Sequence, residues 1–170
     1  MPIWRREPDR IEKETRALAD RGVEHACAVL GEDGSRYEWH MAHGDLAVVE
    51  QWLRGVNEGD RARVLGLTAE DVEIVGPRGV GRGRELLGEW LARAGFTSEA
   101  RRWFCGEDGR VVVEQDARWA LPDGKVGEAR VASAFVVQEG RVARFERFET
   151  LAAALTMVGL EERDEANARL

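Results

Sequence analysis

Cysteine, histidine, positive charge and long apolar runs are all scarce in this 170-residue chain, and each shortage removes a class of function. Cys27 and Cys105 are its two cysteines, far apart, and neither joins a Cys/His cluster with zinc-ligand spacing. Two reduced thiols are expected rather than a disulfide framework. No stretch approaches the roughly 20 apolar residues needed to cross a bilayer, and Met1 to Arg10 lacks the apolar core of a signal peptide. The expected location is the cytoplasm, with no membrane partner. Lys and Arg number 25 against 32 Asp and Glu, a formal net charge of -7. That balance disfavours a phosphate-neutralising surface, so no nucleic acid partner is expected. His40, His43 and Asp45 have a loosely metal-like spacing, but a convincing centre needs further ligands and supporting groups. No metal and no cofactor are expected.

What the chain does contain is periodicity. Asp9 and Glu12 are spaced like a capping box before a charged helix that Gly22 would end. Val23 to Leu30 and Arg36 to Met41 flank Gly31-Glu32-Asp33-Gly34, and Tyr37, Trp39 and Met41 alternate with polar residues, which predicts a hairpin. From Asp45 onward Leu46, Val49, Trp52, Leu53 and Val56 recur at helical spacing, closed by Gly59. Asp60 caps a short second helix, and Val72 to Val75 forms a first strand broken at Gly76-Pro77. Leu86, Leu87, Trp90, Leu91 and Ala94 define a third helix ending at Gly95. Four strands follow, around Glu99 to Cys105, Arg110 to Leu121, Lys125 to Val137 and Arg141 to Glu149, then a Thr150-capped helix. This predicts an N-terminal helix and hairpin extension over 1–44, one α+β domain over 45–160, and a fraying polar tail over 161–170.

Charge matching selects a register for the two longest strands. Arg118 falls opposite Glu128 and Asp116 opposite Arg130, while Trp119 meets Gly127, Gln115 meets Val131, and Val113 meets Ser133. One face is then charged and the other mostly apolar. Carrying the pattern across Gln138-Glu139-Gly140 sets Phe145 beside Ser133, Arg147 beside Val131 and Glu149 beside Ala129.

Four segments in this order and spacing carry a resemblance. They are Trp52 to Asp60 (WLRGVNEGD), Ala69 to Glu73 (AEDVE), Gly81 to Leu87 (GRGRELL) and Gln138 to Val142 (QEGRV). The chain resembles the SnoaL-like branch of the nuclear transport factor 2 (NTF2)-like superfamily over about Leu46 to Leu155. The resemblance implies a cone fold, in which a curved, mostly antiparallel sheet wraps around helices, and it implies association as a homodimer through the sheet. It does not settle activity, because this family hosts isomerases, hydrolases, cyclases and non-catalytic binders. The general base of ketosteroid isomerases falls on Gly76, which cannot abstract a proton, and their oxyanion pair falls on Trp52 and Ser133. The strand positions of the epoxide hydrolase triad fall on Gln115, Ala117 and Arg147. Neither known chemistry is matched.

The candidate lining follows from the apolar face. Trp52, Trp90, Phe135 and Phe145 would wall a pocket, with Trp119 on the same face, and Gln115 and Ser133 would orient a ligand oxygen. Arg147 and Glu149 are the candidate catalytic pair, an electrophilic cation and a base, although a structural ion pair at the rim is the more economical account of them, since burying such a pair costs desolvation. The charged set Glu114, Asp116, Arg118, Glu128 and Arg130 reads as a solvated face. The glycine-rich, basic segment Gly76 to Arg84 matches no phosphate loop and reads as a turn. The expected partner is a small apolar or carbonyl-bearing molecule, bound for isomerisation, cyclisation or hydrolysis without cofactor; the alternative is a non-catalytic dimerisation module.

Overall fold

The computed structural model describes residues 36–166 except 77, 78, 107 and 122, with side chains described from 44 onward. The expected capping box at Asp9, the strand at Val23 to Leu30 and Cys27 lie outside the described residues.

The first helix, α1 (Arg36–Glu58), buries the predicted stripe of Leu46, Val49, Trp52, Leu53 and Val56. It stops at Gly59, whose φ of 68° is the left-handed conformation that glycine adopts without steric cost. The chain then doubles back into α2 (Arg61–Gly66), where Asp60 Oδ1 accepts the Arg63 N–H at 3.0 Å. A Cβ on Gly55 would sit 2.9 Å from Val64 Cγ2, so glycine is what lets α2 lie this close.

The expectation of a strand at Arg36 to Met41 is overturned, since these residues are the first turns of α1. Once the buried stripe nucleates the helix, each upstream residue adds one hydrogen bond. Gly44 costs about 1 kcal/mol relative to Ala and does not stop it. The helix therefore runs through residues 44 and 45, where the sequence suggested a boundary.

β1 (Thr68–Gly76) is followed by β2 (Gly79–Arg82), α3 (Arg84–Ala94), β3 (Thr97–Cys105), β4 (Arg110–Ala120), β5 (Val126–Gln138), β6 (Arg141–Phe148), α4 (Leu151–Val158) and β7 (Glu165–Ala166). They build one seven-stranded sheet in the order β2-β1-β6-β5-β4-β3-β7, antiparallel except where β1 meets β6. β2 corrects the reading of the glycine-rich segment as a turn alone: Gly79 to Arg82 pair with Glu73 to Gly76. A four-residue edge strand with two glycines carries no alternation to betray it.

The β4–β5 register is the one that charge matching selects, from Arg118 opposite Glu128 to Val113 opposite Ser133. The β5–β6 register differs by two residues: Phe145 lies opposite Phe135, and Arg147 opposite Ser133. The turn is a tight two-residue one at Glu139-Gly140, with φ of 51° and 72°, and the ladder shifts between Val136 and Val137, leaving Ala143 as the extra residue. A slip of two preserves the faces.

The inner face packs Val111, Val113, Val131 and Phe135 against α1, α2 and α3. Asn57, in the last turn of α1, exchanges two 2.8 Å hydrogen bonds with the Ser98 backbone and so fixes the helix over β3. On the outer face α4 covers Val112, Ala132 and Ala134 with Ala154 and Leu155, so the charged face is only part of that surface. Thr150 caps α4 as expected. The tail does not fray through residue 166: β7 pairs with Trp103 and Phe104, Ala166 is buried, and Arg102 donates to Glu162 and Glu165.

Candidate functional site

Aromatic rings form the floor of the inner face. Trp52 meets Phe135 edge-on at 5.5 Å and Phe145 at 5.4 Å, Phe135 meets Phe145 at 5.3 Å, and Trp90 reaches Phe145 at 6.0 Å. These separations are those of packed aromatic pairs. The Trp52 indole N–H donates to Thr68 Oγ1 at 3.0 Å, and the Thr68 hydroxyl donates to the Val64 carbonyl at 2.7 Å. The Trp52 N–H is therefore already paired within the core. Thr68, fully buried, is a residue that sequence reasoning missed, because β1 begins four residues before the alternation at Val72.

Above the floor lie two polar side chains with no exposure, Gln115 on β4 and Ser133 on β5. Gln115 Nε2 donates to Ser133 Oγ at 2.6 Å, while Gln115 Oε1 is buried without a partner. Turning the amide over exchanges the two atoms and leaves the nitrogen orphaned instead. Either way one end of the amide is unsatisfied, at a cost of about 1–3 kcal/mol.

Farther along the same strands the face opens. Trp119 lies against Gly127, where a Cβ would come within 2.6 Å of the indole. The Arg147 guanidinium sits over the Trp119 ring, 5.2 Å from its centre, so the side chain crosses from β6 over β5 to β4. β5 presents Gly127 and Ala129 here, small enough to pass beneath it. Arg147 is half-buried, and among the described residues its side chain meets Trp119 and no carboxylate. Glu149 stands one residue beyond β6 and is exposed, and no ion pair joins it to Arg147. Of the expected site residues, Trp52, Trp90, Phe135 and Phe145 form the floor. Gln115 and Ser133 are buried on the same face, Arg147 lies over Trp119, and Glu149 is exposed.

The outer face contrasts with this. Asp116 accepts from Arg101 at 2.6 Å and from Arg130 at 2.8 Å, and these partners, Arg130 foremost, lower its pKa to about 2. Arg118 and Glu128 pair at 3.4 Å. Two surface depressions lie elsewhere, one lined by Glu70, Asp71, Gln138 and Arg141, the other by Arg82, Gly83, Arg84 and Glu85, and neither includes any expected site residue. Among the described residues no three His, Cys, Asp or Glu are grouped to hold a metal, and the His40 and His43 side chains fall outside them. No helix of the described residues is long and apolar enough to cross a membrane.

Comparison with known structures finds the same architecture. Bal32a from a soil-derived mobile gene cassette superposes with a TM-score of 0.59 at 22% identity, covering 66% of this chain and 94% of that one. RV0760c from Mycobacterium tuberculosis, solved in complex with estradiol-17beta-hemisuccinate, gives 0.56 at 20% identity, covering 64% and 95%. SalBIII, an epoxide hydrolase/cyclase-like enzyme in pyran ring formation in the polyether salinomycin, gives 0.57 at 21% identity, covering 72% and 94%. Several further neighbours are NTF2-like proteins, which fixes the cone fold. No match to the sequence was found among curated proteins. The family model for the SnoaL-like domain matches residues 49–145, more than half of the chain, from within α1 to within β6, and the chain belongs to that family.

Proposed function

We propose that this SnoaL-like domain binds a small, largely apolar molecule bearing an oxygen or amide group, with its polar end at Gln115 and Ser133. The observation that carries the reading is the Gln115 amide, buried in an apolar interior with one end unpaired. A group held in that state at a cost of about 1–3 kcal/mol has a reason to meet a ligand donor or acceptor. The ring floor supplies the apolar contact, and the half-buried lip at Trp119 and Arg147 supplies the way in. Two of the fold relatives, whose likeness bears on fold alone, are described with a steroid ester and with polyether ring formation, which suits an apolar guest.

The geometry supports binding better than proton transfer. Glu149, the candidate base, is exposed and unpaired with Arg147, so turnover assigned to these two would proceed from the rim. Thermal-shift and calorimetric titration tests the reading with 2-acetylnaphthalene, a flat apolar ketone that accepts from the Gln115 amide nitrogen once the amide is turned over and the Ser133 hydroxyl donates to Oε1. The ketone is expected to raise the melting temperature of the wild type by mass action. Gln115→Leu is expected to weaken its binding by about tenfold, the worth of one hydrogen bond. Equal affinity for both proteins would reject Gln115 as the polar anchor.

One observation favours a second reading: the floor is ring packed on ring, and the two surface depressions lie outside the cone. A filled interior suits a domain that presents its outer sheet face to a second copy. Sedimentation as a dimer, together with no thermal shift from any apolar carbonyl compound, would favour that reading.

A further inference from the structure

We infer that the ligand of this site carries a carboxylate, held at the lip by Arg147. This inference rests on the binding reading above and names the chemical class that it left open.

Arg147 differs from the carboxylate-paired arginines of the sheet. Arg101, Arg102, Arg118, Arg130 and Arg144 each have a carboxylate partner on the outer surface. Arg147 points along the inner face, half-buried, and among the described residues it has no carboxylate. A cation taken partly out of water, with no counter-charge, favours an anion more strongly than a fully solvated one does.

The way it is held matters as much as its charge. The guanidinium carbon lies over the Trp119 ring, 5.2 Å from its centre, and this cation–π contact uses none of the guanidinium N–H groups. Edge N–H groups in a fixed fork fit the two oxygens of a carboxylate. Trp119 is itself seated against Gly127, so the shelf under Arg147 is firm. Ser133 lies directly opposite Arg147 on the neighbouring strand, and Gln115, opposite Val131 and so diagonal to Ser133, is bonded to it, so the polar groups form a diagonal row across β6, β5 and β4. A ligand with its acid on Arg147 would lay its apolar body along this row toward Phe135 and Phe145. Glu149 does not compete, being exposed and unpaired with Arg147.

The test compares 2-naphthoate with 2-acetylnaphthalene, which share the ring system and differ in charge, by calorimetry on the full chain at low and at physiological salt. The wild type is expected to bind the naphthoate at least about tenfold more tightly, the effect of one charge-assisted hydrogen bond. Arg147→Met should abolish that preference, bringing naphthoate affinity down to that of the ketone measured on the same variant. Arg147→Lys, which keeps the charge but loses the fork, should retain part of it. Equal binding of acid and ketone by the wild type would overturn the carboxylate assignment and leave the pocket standing. A preference that survives in Arg147→Met would overturn it as well, because the anion would then sit elsewhere. Binding of neither probe would overturn this inference and the binding reading together.

Discussion

On their outer face β4 and β5 carry Glu114, Asp116, Arg118, Glu128 and Arg130; on their inner face the same strands carry Gln115 and Ser133 as the buried polar residues. The outer set is richer in charge and poorer in unmet demand. Asp116 is shared by two arginines, Arg118 has Glu128, and water reaches all of them. The inner set is sparse, yet it holds an amide with one unpaired end and, from β6, an arginine without a carboxylate. A functional site is better sought where polar groups lack partners than where they are numerous.

The largest effect that separates the faces is expected at the floor. Phe135→Ala should lower stability by about 3–5 kcal/mol, because it opens a cavity among Trp52, Phe145 and Val111 that the rings cannot collapse to fill. Urea denaturation measures it, and a loss below 1 kcal/mol would mean that the interior is loose. Next comes Gly127→Ala, where the new methyl would meet the Trp119 ring at 2.6 Å. A loss of about 1–3 kcal/mol from overpacking is expected, with a changed tryptophan emission as the indole leaves its seat and Arg147 loses its shelf.

Smaller still is the double change Gln115→Leu with Ser133→Ala. Replacing both partners of a half-satisfied polar pair by apolar groups should leave stability within about 1 kcal/mol of the wild type, or raise it. A strongly destabilised double variant would show that the pair is structural. The smallest effect belongs to the outer face. Asp116 has its folded pKa lowered to about 2 from 3.8, so its contribution is present above the unfolded value and is lost as pH falls from about 4 through about 2. Asp116→Asn should flatten the acid limb of the stability curve in that window, with its whole cost present at pH 7, where it is small because the group is exposed and screened.

The same contrast explains what could be read from the chain. The β4–β5 pairing was legible because opposite charges at Arg118, Glu128, Asp116 and Arg130 admit one register, and because Trp119 then meets the glycine it needs. The β5–β6 pairing was legible only as to face. Its bulge at Ala143 and its two-residue turn follow from backbone geometry rather than from any alternation of side chains. Tyr37, Trp39 and Met41 alternate like a strand, yet helix propagation from α1 overrides so short a pattern. The stack of Arg147 on Trp119 joins residues two strands apart across the small side chains of β5, and pairwise register does not reveal it. The polar composition of the tail suggests a loose end, whereas Arg102 gathers Glu162 and Glu165 and closes the edge of β3.

The most direct test of the central claim, that unmet polar groups on the inner face await a ligand, is an NMR titration with 2-naphthoate that follows the Gln115 side-chain amide and the Trp119 indole. Saturable shifts at both, with little change at the guanidinium groups of Arg101, Arg118 and Arg130, are the predicted result. Shifts confined to those outer arginines, or none at any site, would contradict it.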